Sequence, residues 1–218
     1  IGVRLVGSEM CIRDRYMKVI LITTPTYFVE EDKIITSLFE EGLDILHLRK
    51  PDTAPVYAER LLTLIPEKYH KRIVVHGHFY LKEEYKLKGI HLNHRNPTAP
   101  ENYSGHISCS CHSLQEVQAK KNNFDYVFLS PVFDSISKVN YNSAFSAEEI
   151  RAAVKQGIID KRVIALGGID EENILQVKDY GFGGAAILGS IWNQFDPTHD
   201  FNYQNLLEQF RKLKKLAD

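Results

Sequence analysis

The sequence predicts one small (β/α)8 TIM barrel, and three observations predict it. After Met17, eight short runs rich in β-branched residues alternate with amphipathic stretches of helical length, the mark of a parallel sheet with crossover helices. The first run leads into Thr23-Thr24-Pro25-Thr26, not the glycine-rich phosphate turn of an open dinucleotide-binding sheet. Setting Ile1–Tyr16 aside leaves roughly 200 residues, near the lower bound for a (β/α)8 barrel, so the barrel has little room for insertions.

Residues 1–16 are expected to be a leader outside the fold, with 17–218 forming the barrel. Charged and apolar residues are mixed there without helical or strand period, and Leu5–Arg15 looks like the translated read-through of sequencing-adapter DNA. The alternative is a genuine but loosely ordered extension.

The expected strands are Lys18–Thr24, Ile45–Lys50, Arg72–Gly77, Gly89–Asn93, His106–Cys111, Tyr126–Val132, Arg162–Gly168 and Gly184–Ser190. Apolar spacing of three and four predicts helices over Glu30–Glu41, Val56–Tyr69, Ser113–Asn122, Ser146–Ile159, Glu171–Tyr180 and Asn205–Leu216, with a short one at Tyr80–Lys88. Ser113 with Glu116, and Ser146 with Glu149, have the spacing of capping boxes. Asn93–Gly105, with Pro97 and Pro100, lacks helical period and is expected to be a loop.

Composition excludes several classes of function. Of 218 residues, 44% are hydrophobic and 25% charged, and 27 basic residues balance 28 acidic ones. No nucleic-acid groove or anionic membrane surface is therefore expected as partner, and any anion preference must be local. No apolar run has the length of a membrane span, and no signal-peptide pattern is present, so a cytoplasmic protein is expected. Three cysteines, Cys11, Cys109 and Cys111, form no disulfide framework. Oligomeric state is open, with a homo-oligomer built on one exposed helix strip as the usual form.

In such barrels, chemistry sits at the C-terminal strand ends, with phosphate most often held after strands seven and eight. Gly167-Gly168 ends the seventh run and Leu188-Gly189 the eighth. Without Cβ, Gly168 and Gly189 let backbone amides approach a phosphate; the alternative is that they are turn glycines without a ligand. In Ile45–Lys50, His47 and Arg49 share a face opposite Leu46 and Leu48. Arg49 thus suits an anion at the mouth, or else an internal ion pair. Ser108, Ser110 and His112 share a face on strand five, which makes His112 the best acid–base candidate; its alternative role is capping the next helix. A zinc site from His106, Cys109, Cys111 and His112 is rejected, because neighbours on one strand face are about 7 Å apart. The loop after strand six, with Ser135, Ser137 and Lys138, reads as an anion-binding lid or a solvated loop.

These junctions, in this order, resemble the thiamine phosphate synthase and TenI family. The family's Gln-Leu-Arg looks like His47-Leu48-Arg49, its Gly-Val-His-Leu like Gly89-Ile90-His91-Leu92, and its Ser-x-His like Ser110-Cys111-His112. Its Gly-Pro-Val-Phe with Thr-x-Thr-Lys is similar to Ser130-Pro131-Val132-Phe133 with Ser135-Ile136-Ser137-Lys138, and Ala165–Ile169 with Glu172-Asn173-Ile174 match the seventh unit. The resemblance implies a phosphorylated thiazole as small-molecule partner, with His112 carrying a proton. Gly168 and Gly189 with Leu188 would hold phosphate, Ser110, Ser135 and Ser137 would line the site, and Lys138 and Arg49 would face anionic groups.

Departures from the pattern are equally informative. The family's synthases join a pyrimidine diphosphate to a thiazole phosphate with Mg²⁺ held by aspartates after strands three and four; where the family has Asn-Asp this chain has His76-Gly77, and where the second aspartate is expected it has Asn96. The lysine after the strand-two arginine is displaced to Lys50. What remains is the equipment of the TenI branch, similar to thiazole tautomerases, whose reaction needs no metal or other cofactor. Two alternatives stand. One is a synthase that uses Mg²⁺ through a site rebuilt from His76, Asn93, His94 or Asn96; the other is a non-catalytic regulator that keeps the phosphate pocket.

Overall fold

Eight parallel strands close into a barrel in which each pairs with its sequence neighbours and the first pairs with the last. The computed structural model describes residues 16–134, 145–193, 195–196 and 203–218. The strands are β1 Lys18–Ile22, β2 Ile45–Leu48, β3 Ile73–Val75, β4 Gly89–Leu92, β5 His106–Cys111, β6 Tyr126–Leu129, β7 Val163–Leu166 and β8 Gly184–Ile187. The helices are α1 Glu31–Glu40, α2 Pro55–Leu64, α3 Leu81–Glu84, α4 Leu114–Lys120, α5 Ala147–Lys155, α6 Ile174–Asp179, α7 Gly189–Trp192 and α8 Gln204–Ala217.

Alternation along each strand divides the apolar residues into two layers. Val19, Leu21, Leu46, Leu48, Cys109, Cys111 and Val127 join the layer between strands and helices. Ile20, Ile22, Ile45, Val74, Tyr126, Phe128, Ile164 and Ala186 fill the barrel interior. Cys109 and Cys111 are buried free thiols in the outer layer. His47, His91 and Ser108 are wholly buried, on the same inward parity. The interior is therefore apolar on one side and polar toward β2–β5.

Several ladders stop short of the expected strand ends, because the last residues turn out to shape the mouth. The expected long helix Val56–Tyr69 ends at Leu64, where Ile65-Pro66 disfavours helical backbone, and a 3₁₀ segment follows over Glu67–Arg72. Tyr80–Lys88 contracts to the single turn of α3. The short α7 was not anticipated. Ser146 and Glu149 form the expected reciprocal capping box. At α4 only half forms: Ser113 Oγ accepts from the Glu116 amide, while the Glu116 carboxylate takes the His112 amide one residue upstream. Tyr16, assigned to the leader, contacts Asp44 and Lys214; Ile1–Arg15 lie outside the described residues.

Ser146→Ala removes the acceptor for the Glu149 amide and is expected to cost about 1 kcal/mol. Urea denaturation measures this as a lower midpoint with unchanged slope; an unchanged midpoint contradicts the assigned cap.

Candidate active site at the barrel mouth

The strand ends open into a cavity of about 820 Å³, lined by Arg49, His76, Gly77, Asn93, Arg95, Asn96, Ser110, His112, Gly167, Gly168, Leu188 and Gly189, among others. Five of the expected site residues between Arg49 and Gly168 to Gly189 therefore meet His112 in one pocket. Ser135, Ser137 and Lys138 lie outside the described residues.

His112 follows directly on β5 and is exposed at the rim. Its Nδ1 lies 3.1 Å from the Ser130 carbonyl oxygen, and its amide donates to Glu116 Oε2 at 3.0 Å. A carbonyl only accepts, so Nδ1 is the donor here, and in the neutral ring the lone pair lies on Nε2. One residue thus anchors the start of α4 through its backbone and offers a base through its ring.

Arg49 extends beyond β2, half-buried, with its backbone clasped by Thr23: the Arg49 amide donates to Thr23 Oγ1 at 3.0 Å, and that hydroxyl donates to the Arg49 carbonyl at 3.1 Å. Burial and the charge of Arg95 lower its pKa. Two guanidiniums close enough to oppose each other favour an anion between them. Lys50 is withdrawn from this role. Its ammonium meets Glu31 Oε1 at 2.5 Å and the Thr26 carbonyl at 2.7 Å, and both side chains are almost entirely buried. Burial pushes the Glu31 carboxyl up to about 7 despite Lys50.

Gly167 and Gly168 have φ of +102° and +65°. A Cβ on Gly168 would come within 2.1 Å of the Asp134 carbonyl oxygen, and one on Gly167 within 2.9 Å of Pro131 Cα. Glycine is thus required here by the close approach of the β6 loop as well as by any ligand, a demand invisible in the local sequence. Gly189 opens α7, and only the flexible Asn193 side chain would meet its Cβ, at 3.1 Å.

The floor was missed by sequence reasoning. His47 Nδ1 faces His76 Nε2 at 2.8 Å, and His47 Nε2 faces the Tyr126 hydroxyl at 2.6 Å. His91 meets Ser108 and Ser110 hydroxyls through its two nitrogens, each at 2.9 Å. Burial drives all three imidazoles toward the neutral form: His91 to about 3, and His47 and His76 well below the usual range. The available signal was inward parity combined with register, since His47 pairs with Val74 and Val75 with Ile90, placing inward histidines side by side on three neighbouring strands.

Mg²⁺ does not fit the strand-three and strand-four ends. A Cβ on Gly77 would stand 3.6 Å from Asn96 Nδ2, so these two positions face each other and neither supplies a carboxylate. Asn93 and Asn96 amides both donate to the His76 carbonyl, at 3.1 and 2.8 Å, and Asn93 Oδ1 caps the turn by accepting the Arg95 and Asn96 amides. The lining carboxylate Asp52 is 3.6 Å from Arg95. Amides already bonded to backbone, with two arginines nearby, are a poor donor set for a hard cation that seeks carboxylate oxygen.

The chain is thus a closed (β/α)8 barrel with glycines at the β7 and β8 ends and a histidine-bearing, arginine-lined mouth. More particularly, the chain belongs to the thiamine monophosphate synthase (TMP-TENI) family, whose model matches residues 19–191. A thiamine-phosphate synthase of Actinobacillus succinogenes is 32% identical over 119 residues, covering 51% of this chain and 53% of that one. One of Limosilactobacillus reuteri is 29% identical over 152 residues, covering 66% and 65%. The matched stretches thus span between half and two thirds of these relatives. The crystal structure of a thiamine phosphate pyrophosphorylase from Bacteroides thetaiotaomicron is 63% identical, with TM-score 0.87 over 93% of this chain and 98% of that one. Among the described residues, no helix is long and apolar enough to cross a membrane.

Two outcomes check the site. Unfolded imidazoles take up protons near pH 6.5, whereas the buried ones resist until far lower. The unfolded state therefore binds more protons in that window, and stability is full above about pH 6.5 and falls as pH drops. Each buried imidazole contributes up to about 1.4 kcal/mol per pH unit, so urea midpoints in EDTA should fall from about pH 7.5 to about pH 5, and less steeply in His47→Gln. Equal slopes in the two proteins would show that His47 is not buried neutral. Gly168→Ala should cost roughly 1–3 kcal/mol from backbone strain alone, read as a lower melting temperature; a neutral effect contradicts the close packing of the β6 loop.

Proposed function

We propose that this chain is a thiazole tautomerase of the TenI type, acting on a thiazole carboxylate phosphate without Mg²⁺. One observation carries the reading: His112, its Nδ1 held by the Ser130 carbonyl, lines a pocket whose strand-three and strand-four ends offer Gly77 and Asn96 in place of paired carboxylates. A diphosphate-releasing reaction needs its leaving group's charge neutralised, and the nearby carboxylate is engaged by Arg95. A proton shift has no such need.

In this reading the phosphate rests on the Gly167-Gly168 and Leu188-Gly189 turns, and Arg49 faces the carboxylate. His112 Nε2 takes the ring proton, the electron pair delocalises into the thiazole, and the imidazolium returns a proton at a second ring position to leave the aromatic tautomer. The Ser130 carbonyl holds the ring of His112 in place and stabilises its cation. Ser135, Ser137 and Lys138, outside the described residues, are proposed as further contacts to the ligand.

A second reading, thiamine phosphate synthase, is favoured by the names of the relatives and of the 63% identical structure. One pair of assays separates them. Tautomer conversion followed by ultraviolet absorbance should proceed without added Mg²⁺ and fall at least ~100-fold in His112→Asn. Thiamine phosphate formed from pyrimidine diphosphate and thiazole phosphate only when Mg²⁺ is present overturns the tautomerase and identifies a synthase.

A further inference from the structure

The same pocket that has lost hard oxygen donors has gained nitrogen donors at its floor. His47, His76 and His91 come from the inward faces of β2, the end of β3 and β4, and one nitrogen from each lies within 4.8 Å of the others. Their ring centroids form a compact triangle with sides of 5.1, 5.1 and 4.3 Å. His91 stands in the strand-four motif of the family resemblance, whereas His47 and His76 stand where that pattern has Gln and Asn. Substitution at two neighbouring strands has therefore completed a three-imidazole set.

The geometry points to a binding site for one borderline transition-metal dication, of the Zn²⁺ or Co²⁺ kind, held by His47, His76 and His91. Neutral imidazole suits such an ion and not Mg²⁺. Two nitrogens on one tetrahedral zinc stand roughly 3.3 Å apart, between the 2.8 Å seen for His47 and His76 and the 4.8 Å outer limit of the cluster. Shifts of about 1 Å at the ring ends close the set. Without an ion, His47 and His76 share a proton along their short contact; with one, the ion takes that proton's place.

The surroundings supply what ligating histidines need. The far nitrogen of His47 can donate to the Tyr126 hydroxyl oxygen, and His91 has serine hydroxyls at both nitrogens, so each keeps an acceptor for its remaining N–H and a set ring orientation. His76 and Ser110 line the open pocket, leaving a fourth position for water or an anionic ligand oxygen. Three protein ligands with an open position is the donor count of catalytic rather than structural zinc. Arg49 and His76 line the same pocket, so an anion bridging Arg49 and the ion is expected to tighten both. The inference does not rest on the tautomerase reading.

Titration of the metal-free protein with Co²⁺ tests it. The expected result is one ion per chain with visible d–d absorption of tetrahedral intensity, displaced by Zn²⁺ and unaffected by excess Mg²⁺. His47→Gln and His76→Asn, which install the residues of the family pattern, should each weaken binding roughly 100-fold or more, while His94→Asn at the rim leaves it unchanged. In the unsubstituted protein, Zn²⁺ should move the ¹⁵N resonances of all three imidazoles, a readout independent of how the variants fold. Absence of Co²⁺ binding, unmoved imidazole resonances, or binding that survives both floor substitutions overturns the site.

Discussion

Closure of the sheet is the constraint on which everything else depends. An eight-stranded barrel turns every second side chain inward, where there is no water to satisfy a polar group. Each polar residue that the sequence places on that parity must find a partner inside, and an unpaired one costs about 1–3 kcal/mol. His47 answers with His76 and Tyr126, and His91 with Ser108 and Ser110. The hydrogen bonds tie β2 to β6 and to the end of β3, and β4 to β5, across the interior, and burial keeps the imidazoles uncharged.

From that layer upward, chemistry is distributed by strand end. On the β7–β8 side, positive-φ glycines let the β6 loop lie directly on the sheet, and the same turns face the pocket. On the β2–β4 side, Arg49 and Arg95 meet Asn93 and Asn96, whose amides are spent on the His76 carbonyl. Between them His112 follows β5 with its Nδ1 against the Ser130 carbonyl. Lys50 could have added a third cation, but Glu31 neutralises it in a buried pair beneath Tyr27. The result is a pocket lined by arginines and backbone glycines at its rim, with imidazoles rather than carboxylates beneath.

Much of this was legible in the sequence, for reasons specific to each part. Strand number and order followed from alternation and length, since a nearly minimal (β/α)8 chain leaves few other arrangements. His112 and Arg49 were legible because period two fixes which face they occupy and the barrel fixes which end matters. The histidine floor was not, because His47, His76 and His91 lie far apart in sequence and meet only through register. Along one strand, as at β5, spacing forbids convergence on a metal; only across neighbouring strands do the imidazoles meet. Helix ends were read too long at Leu64, where Pro66 acts beyond the apolar period, and the glycine at 168 was read for its ligand when the Asp134 carbonyl also demands it.

Ligand capture without magnesium is the proposal on which the functional reading turns. Calorimetric titration with inorganic pyrophosphate, with and without Mg²⁺, tests it, since pyrophosphate is the group whose capture would require the cation. The expected result is the same affinity in both conditions, set by Arg49 and its neighbours. A tightening of tenfold or more on adding Mg²⁺ would contradict it and restore a magnesium–diphosphate site to the strand-three and strand-four ends.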